Sequence, residues 1–340
     1  MRAVWITKHG DGRVLEVRDT PEPTPGPGEV RVAARVCGLN FAEVSARQGL
    51  YPDAPKPPCI VGYEGAGVID AVGAGVDGAR VGERVLYLTR FGGHSDTVCV
   101  PAEQAIVMPE SMSFEDGAAL PVNYLTAYHM LFEVARIRSG EHVLVHMAAG
   151  GVGTAVLQLC RTLEGVTTYG TASAKKHDYL REQGCDHPID YRSLDYADEV
   201  RRITDGRGVD VVLDALGGKD WKKGYDLLKP AGMLVMFGLA NTNTGGKRNL
   251  FHVLKVVLSV PRFSGMKLLD ENKAVAGVNI GHLWEEKELI ERELAALVAL
   301  FDEGKIQPHV HEVFPFSQAA DAFAEIEFGR NVGKVLMRPD

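Results

Sequence analysis

The run Val143-Leu144-Val145-His146-Met147 reads as a strand, and Ala148-Ala149-Gly150-Gly151-Val152-Gly153 follows as a glycine-rich turn that opens a helix over 152–163. Strand, turn and helix in that order are the setting in which glycines bind a dinucleotide. Against the pattern GxGxxG the positions are Ala148, Gly150 and Gly153. Gly150 lets backbone approach a pyrophosphate, and Gly153 lets the helix pack close to the strand. The helix N-terminus supplies N–H groups and the positive end of its dipole to the phosphates. Ala148 departs from the pattern, because a glycine usually makes the tight turn there.

The next acidic residue decides which dinucleotide. An Asp or Glu about 20 residues on binds the ribose 2′-hydroxyl of NAD. Here that place falls in Gly170-Thr171-Ala172-Ser173-Ala174-Lys175-Lys176, which has no acid. A carboxylate would repel a 2′-phosphate, whereas a hydroxyl and an ammonium bind one. The expectation is NADP(H) rather than NAD(H). Other residues with chemical potential are fewer. Tyr51 and, after it, Tyr63 are candidate hydrogen-bond donors, since a phenol stays protonated at neutral pH. His94, His146, His309 and His311 fall at strand ends and in loops. No Ser-His-Asp, Cys-His or paired-carboxylate arrangement is defined by spacing.

Cys37-Gly38-Leu39-Asn40-Phe41, Gly62-Tyr63-Glu64-Gly65-Ala66-Gly67 and the glycine turn occur in order. With them the whole chain resembles the medium-chain dehydrogenase/reductases. In the zinc alcohol dehydrogenases of that superfamily a Cys, a His followed by Glu, and a second Cys hold the catalytic zinc. Cys37 matches the first, Tyr63 stands where the His would be, and no Cys lies between Cys99 and Cys160. Residues 90–98 lack the cysteines of a structural zinc lobe. Zinc needs three or four converging ligands, so the expectation is a zinc-independent member with no metal site. The chain resembles the quinone oxidoreductase (zeta-crystallin) group, and more closely the synaptic-vesicle membrane protein homologues. The stretches that carry this include 46–51, 145–153, 170–176, 187–191, 224–230 and 331–335.

The resemblance implies roles position by position. Asn40 would contact the nicotinamide ribose side, with Asn123 and Thr126 flanking the nicotinamide half. Gly150, Gly151, Val152 and Gly153 would hold the pyrophosphate. Ser173, Lys176 and Tyr191 would surround the 2′-phosphate and adenine. Phe237 and Gly238 would line the cofactor crevice, and Asn331 would close the site from the returning tail. Tyr51, Asn40 and Tyr63 are the catalytic candidates. The implied reaction is hydride transfer from NADPH to a quinone or activated carbonyl. Enoyl thioester reduction, and an adaptor protein that binds NADPH with little turnover, are the alternatives.

Two kinds of element must position these residues. Up to about residue 115, short strands at 3–7, 13–17, 30–36, 65–72 and 84–88 alternate with Gly- and Pro-rich connectors, which reads as a mostly β unit. Ser113 caps a helix start, and Pro121 interrupts the helical pattern that follows. From His142 strand-like runs at 142–147, 166–170, 209–213 and 233–238 alternate with helices, which implies a parallel sheet covered on both faces. A strand at 274–281 follows, then a helix carrying Ile290, Leu294, Leu297, Val298 and Phe301 and ending at Gly304. The fold class expected is α/β: a doubly wound Rossmann sheet over 122–281, and a mostly β GroES-like domain from 1–121 and 282–340.

The 340 residues suit two domains, and the net charge of −8 argues against nucleic acid as a partner. Five scattered cysteines with no CxxC fit a reducing cytoplasm. The apolar run at 253–260 is too short for a transmembrane segment. The apolar, uncharged strand at 274–281 would be a poorly protected edge, and a homodimer formed through it is expected.

Overall fold

The computed structural model describes every residue except Ala79 and Lys247. The chain divides into two units, one of Met1–Leu125, Gly245–Arg248 and Gly281–Asp340, the other of Thr126–Thr244 and Asn249–Ile280.

The second unit is the doubly wound one. Its parallel strands lie in the order His187–Asp190, Thr167–Ala172, His142–Val145, Val209–Asp214, Leu228–Met236 and Ala274–Gly277. Every residue of Val209–Asp214 is buried, as a central strand covered on both faces requires. In chain order the strands run third, second, first, fourth, fifth, sixth. The order reverses between His142–Val145 and Val209–Asp214, and in open α/β sheets such a reversal leaves the ligand crevice at the strands' carboxyl ends. Helix Gly151–Cys160 leaves the first strand, and eight of its ten residues are buried.

One expectation shifts here. The strand expected at 274–281 covers only Ala274–Gly277. Its neighbour ends at Met236, paired with Gly277; the Val278 N–H makes the last bond to it, to the Met236 carbonyl at 2.9 Å, and 280–282 form a 3₁₀ turn. The apolar run at 253–260 lies mainly in helix Leu250–Leu258. Among the described residues no helix is long and apolar enough to cross a membrane.

The first unit holds an antiparallel trio, Leu15–Asp19, Arg2–Ile6 and Cys59–Ile60, and a larger mixed sheet. At the heart of the larger sheet, Glu29–Leu39 lies between Lys334–Arg338 and Glu64–Val72. Glycine permits the tight pairing: a Cβ at Gly67 would stand 2.2 Å from the Ala33 carbonyl oxygen. Pro121 does not break a helix but starts one, Pro121–Tyr128, directly after helix Phe114–Ala119. Its missing N–H costs nothing at a first helical position. In helix Lys287–Asp302, Ile290, Leu294, Leu297 and Phe301 are buried, and Gly304 turns the chain at φ 70°.

A buried ion pair closes this unit. Arg47 Nη2 donates to Glu327 Oε2 at 2.8 Å, linking positions 280 apart in sequence. Glu327 Oε1 also accepts from Gln48 Nε2 at 2.7 Å and from the Gly246 N–H at 2.9 Å. Its charge therefore holds helix Phe41–Gln48 and Gly246 together.

Candidate functional site

In the second unit the turn after His142–Val145 stands at the reversal of strand order. The Gly150 N–H donates to the Met147 carbonyl at 2.9 Å, and the Ala148 N–H to the Thr171 carbonyl at 3.1 Å. Met147 takes the left-handed φ of 55° that this turn demands. At Gly153 a Cβ would meet Ala148 O at 2.4 Å, so only glycine lets the helix start against the turn. At Gly150 a Cβ would meet nothing within 4 Å except the Met147 carbonyl oxygen, at 3.3 Å. That leaves room over the turn for a diphosphate, which a side chain there would occupy. Gly151, Val152 and Gly153 are the first helical residues, and their N–H groups have no carbonyl four residues back to bond.

The neighbouring strand ends bring other expected residues together. Ala172 pairs with Asp190, so Ser173 and Tyr191, each one residue later, leave adjacent strands side by side. Ser173 is 7% exposed, Lys176 is half-buried, and Tyr191 is 53% exposed with the Arg192 guanidinium 6.0 Å from its ring. Asp190, which the sequence reading passed over, is tied to its own turn: its carboxylate accepts from Ser193 Oγ at 2.7 Å and the Arg192 N–H at 3.2 Å. These bonds hold its pKa below the usual range. Phe237 donates its N–H to the Asp214 carbonyl at 3.0 Å, and a Cβ at Gly238 would stand 2.9 Å from the Ala215 carbonyl oxygen. The loops after these two strands are thus in contact.

In the first unit Asn40 caps helix Phe41–Gln48 and lies in a buried polar network. Its Nδ2 donates to Glu64 Oε1 at 2.8 Å and to Glu43 Oε1 at 3.4 Å. Its Oδ1 accepts from Asn123 Nδ2 at 3.1 Å and from Lys334 Nζ at 2.5 Å. A carboxamide has two donors and two acceptor positions, and Asn40 spends all four on protein. Lys334 Nζ also donates to Glu64 Oε1. The second Glu64 oxygen accepts the Val122 N–H at 2.6 Å, in the first turn of helix Pro121–Tyr128. Thr126 follows one turn later on that helix. Glu64 reaches across the middle strand over Gly38, where a Cβ would lie 2.5 Å from Glu64 Oε1.

The sequence reading missed Glu43 and Lys334 and noted Glu64 only as the neighbour of Tyr63. A signal was present: Lys334 is the one charge opening the apolar run Val335-Leu336-Met337. Asn331, expected to close the site, donates to the Gly333 carbonyl at 2.8 Å within its own loop. His94 is fully buried, with Nε2 3.1 Å from the Gly38 carbonyl oxygen, and burial lowers its pKa to about 4. Burial raises Glu43 to about 8, against the opposing pull of Lys334.

Tyr63 and Tyr51 come together edge to face, with ring centroids 6.4 Å apart, and Phe91 lies 5.3 Å from Tyr63. The Tyr63 hydroxyl is buried and has no hydrogen-bond partner among the described residues. Burial, with the nearby Glu43 carboxyl, holds its proton on well above the ordinary phenol range. An unpaired buried hydroxyl costs about 1–3 kcal/mol. An acceptor oxygen reaching it would recover that cost.

Glu43 has a measurable consequence. A carboxyl raised from 4.5 to about 8 on folding binds its proton more tightly in the folded chain. Stability therefore falls as pH rises between those values. Glu43→Gln keeps an acceptor for the Asn40 N–H and buries no charge. Its urea midpoint should match the parent's at about pH 4.5 and exceed it at about pH 8.5. Equal midpoints at both would show that no charge is buried there.

Among the described residues no three His, Cys, Asp or Glu side chains converge as a metal set. Residues 26–110 match the family described as alcohol dehydrogenase GroES-like domain, and residues 183–337 the one described as zinc-binding dehydrogenase. The synaptic vesicle membrane protein VAT-1 homolog of Homo sapiens is 48% identical over 341 residues, covering 100% of this chain and 86% of its own length. A quinone oxidoreductase of Pseudomonas aeruginosa is 33% identical over 340 residues, covering 99% of each. The solved Escherichia coli quinone oxidoreductase, a complex with NADPH, superposes with a TM-score of 0.88 at 29% identity over 100% of both chains. With such likeness along its whole length, the chain belongs to the medium-chain dehydrogenase/reductases, in the quinone oxidoreductase group that includes the VAT-1 homologues.

Proposed function

We propose that the chain is an NADPH-dependent reductase that passes a hydride to a small acceptor, a quinone or an activated carbonyl, without a catalytic zinc. The observation that carries this reading is the glycine turn at the strand-order reversal. It is open above Gly150, and Ser173 and Lys176 follow the next strand where an acid would select NAD. The Escherichia coli relative solved with NADPH supports it.

When bound, NADPH supplies the hydride, and the protein contributes binding and orientation. The first-turn N–H groups of Gly151, Val152 and Gly153 hold the pyrophosphate. Ser173 Oγ and Lys176 Nζ hold the 2′-phosphate, with Tyr191 against the adenine. Phe237, Gly238 and Thr126 flank the nicotinamide. Asn40, with its amide fully engaged, acts by fixing Asn123. The Tyr63 hydroxyl donates to the acceptor oxygen that gains charge, and Tyr51 packs beside it. Asn331 shapes the tail loop that ends in Lys334.

The residues present do not suit zinc. The Cys37 thiol is buried, pushed up to about 12, and donates to the Ser95 carbonyl at 3.6 Å. A cation brought to Glu64 would meet the Lys334 ammonium already on it. Four of the five cysteines are buried and all are unpaired, which supports work in a reducing cytoplasm.

A homodimer forms through the free edge of Ala274–Gly277. The two helices before it carry Phe251 at 88% exposure, with Leu258, Met266 and Leu269 at 75% or more. Apolar exposure on that scale marks an interaction face.

Four measurements test this reading. NADPH should bind more tightly than NADH by roughly 10- to 150-fold, and Lys176→Ala should erode the difference. Tighter NADH binding by the parent overturns the cofactor assignment. NADPH absorbance should fall with members of a quinone panel. Turnover with enoyl thioesters alone would make the chain an enoyl reductase, and none at all an NADPH-binding adaptor. With any accepted substrate, Tyr63→Phe should lower kcat by ~10²–10³ with NADPH affinity unchanged, and Tyr51→Phe should lower it less. Light scattering should show a dimer at micromolar concentration and a monomer for Phe251→Glu.

A further inference from the structure

One side chain at each strand end flanking the order reversal is not used by the proposed function. His146 follows His142–Val145, and Asp214 ends Val209–Asp214. Neither side chain reaches solvent, and His146 Nε2 lies 3.8 Å from Asp214 Oδ2. Neither of these two atoms has a hydrogen-bond partner among the described residues. A buried imidazole nitrogen and a buried carboxylate oxygen thus face each other across the crevice position.

The other atoms of the pair are engaged on the two loops that leave these strands. Thr171 Oγ1 lies 3.0 Å from His146 Nδ1 and accepts the Met147 N–H at 3.3 Å. The buried Thr171 hydroxyl has no other acceptor among the described residues, so its proton goes to Nδ1. That assigns His146 the tautomer with its proton on Nε2, directed at Asp214. On the far side, Asp214 Oδ1 accepts the Leu216 N–H at 2.6 Å and the Gly217 N–H at 3.1 Å. Gly217 and Gly218 both take positive φ, so this loop has a shape those bonds specify.

We propose that His146 and Asp214 are positioning residues, a buried histidine–carboxylate pair that locks the glycine turn and the loop 215–218 into one cofactor-binding arrangement. The ligand in this proposal rests on the NADPH reading; the pair itself does not. The groups packed around it are few. The Tyr196 ring stands edge-on to His146 at 4.6 Å, and its hydroxyl donates to Asp220 Oδ1 at 3.1 Å. Asn241 Nδ2 donates to the other Asp220 oxygen at 2.9 Å. Lys223 Nζ lies 3.9 Å from the Tyr196 ring centroid and is paired with Asp195 at 2.7 Å. Burial raises the Asp214 carboxyl and lowers the His146 ring, so the surroundings disfavour two separate charges.

Nitrogen NMR of the full chain should find His146 protonated on Nε2 and bare on Nδ1 at neutral pH. Asp214→Asn keeps an acceptor for the loop N–H groups but presents an amide to His146, so the tautomer should invert. NADPH should bind that variant about tenfold more weakly. The half-cofactor 2′,5′-ADP, which reaches only the adenine side, should bind parent and variant alike. Adding His146→Gln should cost no further affinity, because the two residues act as a unit. Thr171→Val gives a second reading: without the hydroxyl proton on Nδ1, NADPH should weaken and 2′,5′-ADP should not. A parent His146 protonated on Nδ1, an unchanged NADPH affinity, or additive losses would overturn the pair. A parent that binds neither nucleotide overturns the cofactor reading instead, and the tautomer inversion then decides the pair alone.

Discussion

A carboxylate sealed from water needs a counter-charge, and Glu64 has one. Its side chain has no exposure, and Lys334 and Asn40 share one of its oxygens. Removing one partner of such a buried pair costs about 3–5 kcal/mol, because the other is left as a bare charge. The constraint spreads outward from there. Gly38 must lack a side chain for Glu64 to cross the central strand. The second oxygen holds the start of helix Pro121–Tyr128, and Asn40 carries the order on to Asn123. The Lys334 strand must also lie beside the central strand for its ammonium to reach Glu64.

Much of this fold could be read from the residues because its signals are local. A glycine turn between a strand and a helix is a short-range pattern, and the alternation after His142 gives the parallel sheet. The order of the strands could not be read. Pairings such as Val212 with Leu144 join residues far apart in sequence, and no spacing rule encodes them. The strand at Ala274 was overextended for the same reason: where it stops depends on where its neighbour stops.

The polar network was less legible than the glycine turn. Backbone binding leaves a trace in the sequence, since only glycine tolerates the contacts at Gly153 and a side chain at Gly150 would fill the space over the turn. Buried charge leaves a weaker one. Glu43 and Lys334 look like surface residues until the sheet brings them inside. Asn40 was found through its motif. Its four protein hydrogen bonds are visible only once all its partners are placed.

The ion pair between Arg47 and Glu327 also bears on how the chain comes off the ribosome. Its partners are 280 residues apart, and Lys334 stands 270 from Glu64. Most of the second unit is translated between them. The early segment therefore emerges with Arg47 and Glu64 awaiting partners 280 and 270 residues further on, while Thr126–Thr244 emerges with five of its six sheet strands in one stretch. Contacts of such long sequence separation form slowly, and domains made during synthesis fold as units. The inserted nucleotide-binding unit thus has most of its sheet translated before the segments that complete the first unit are made.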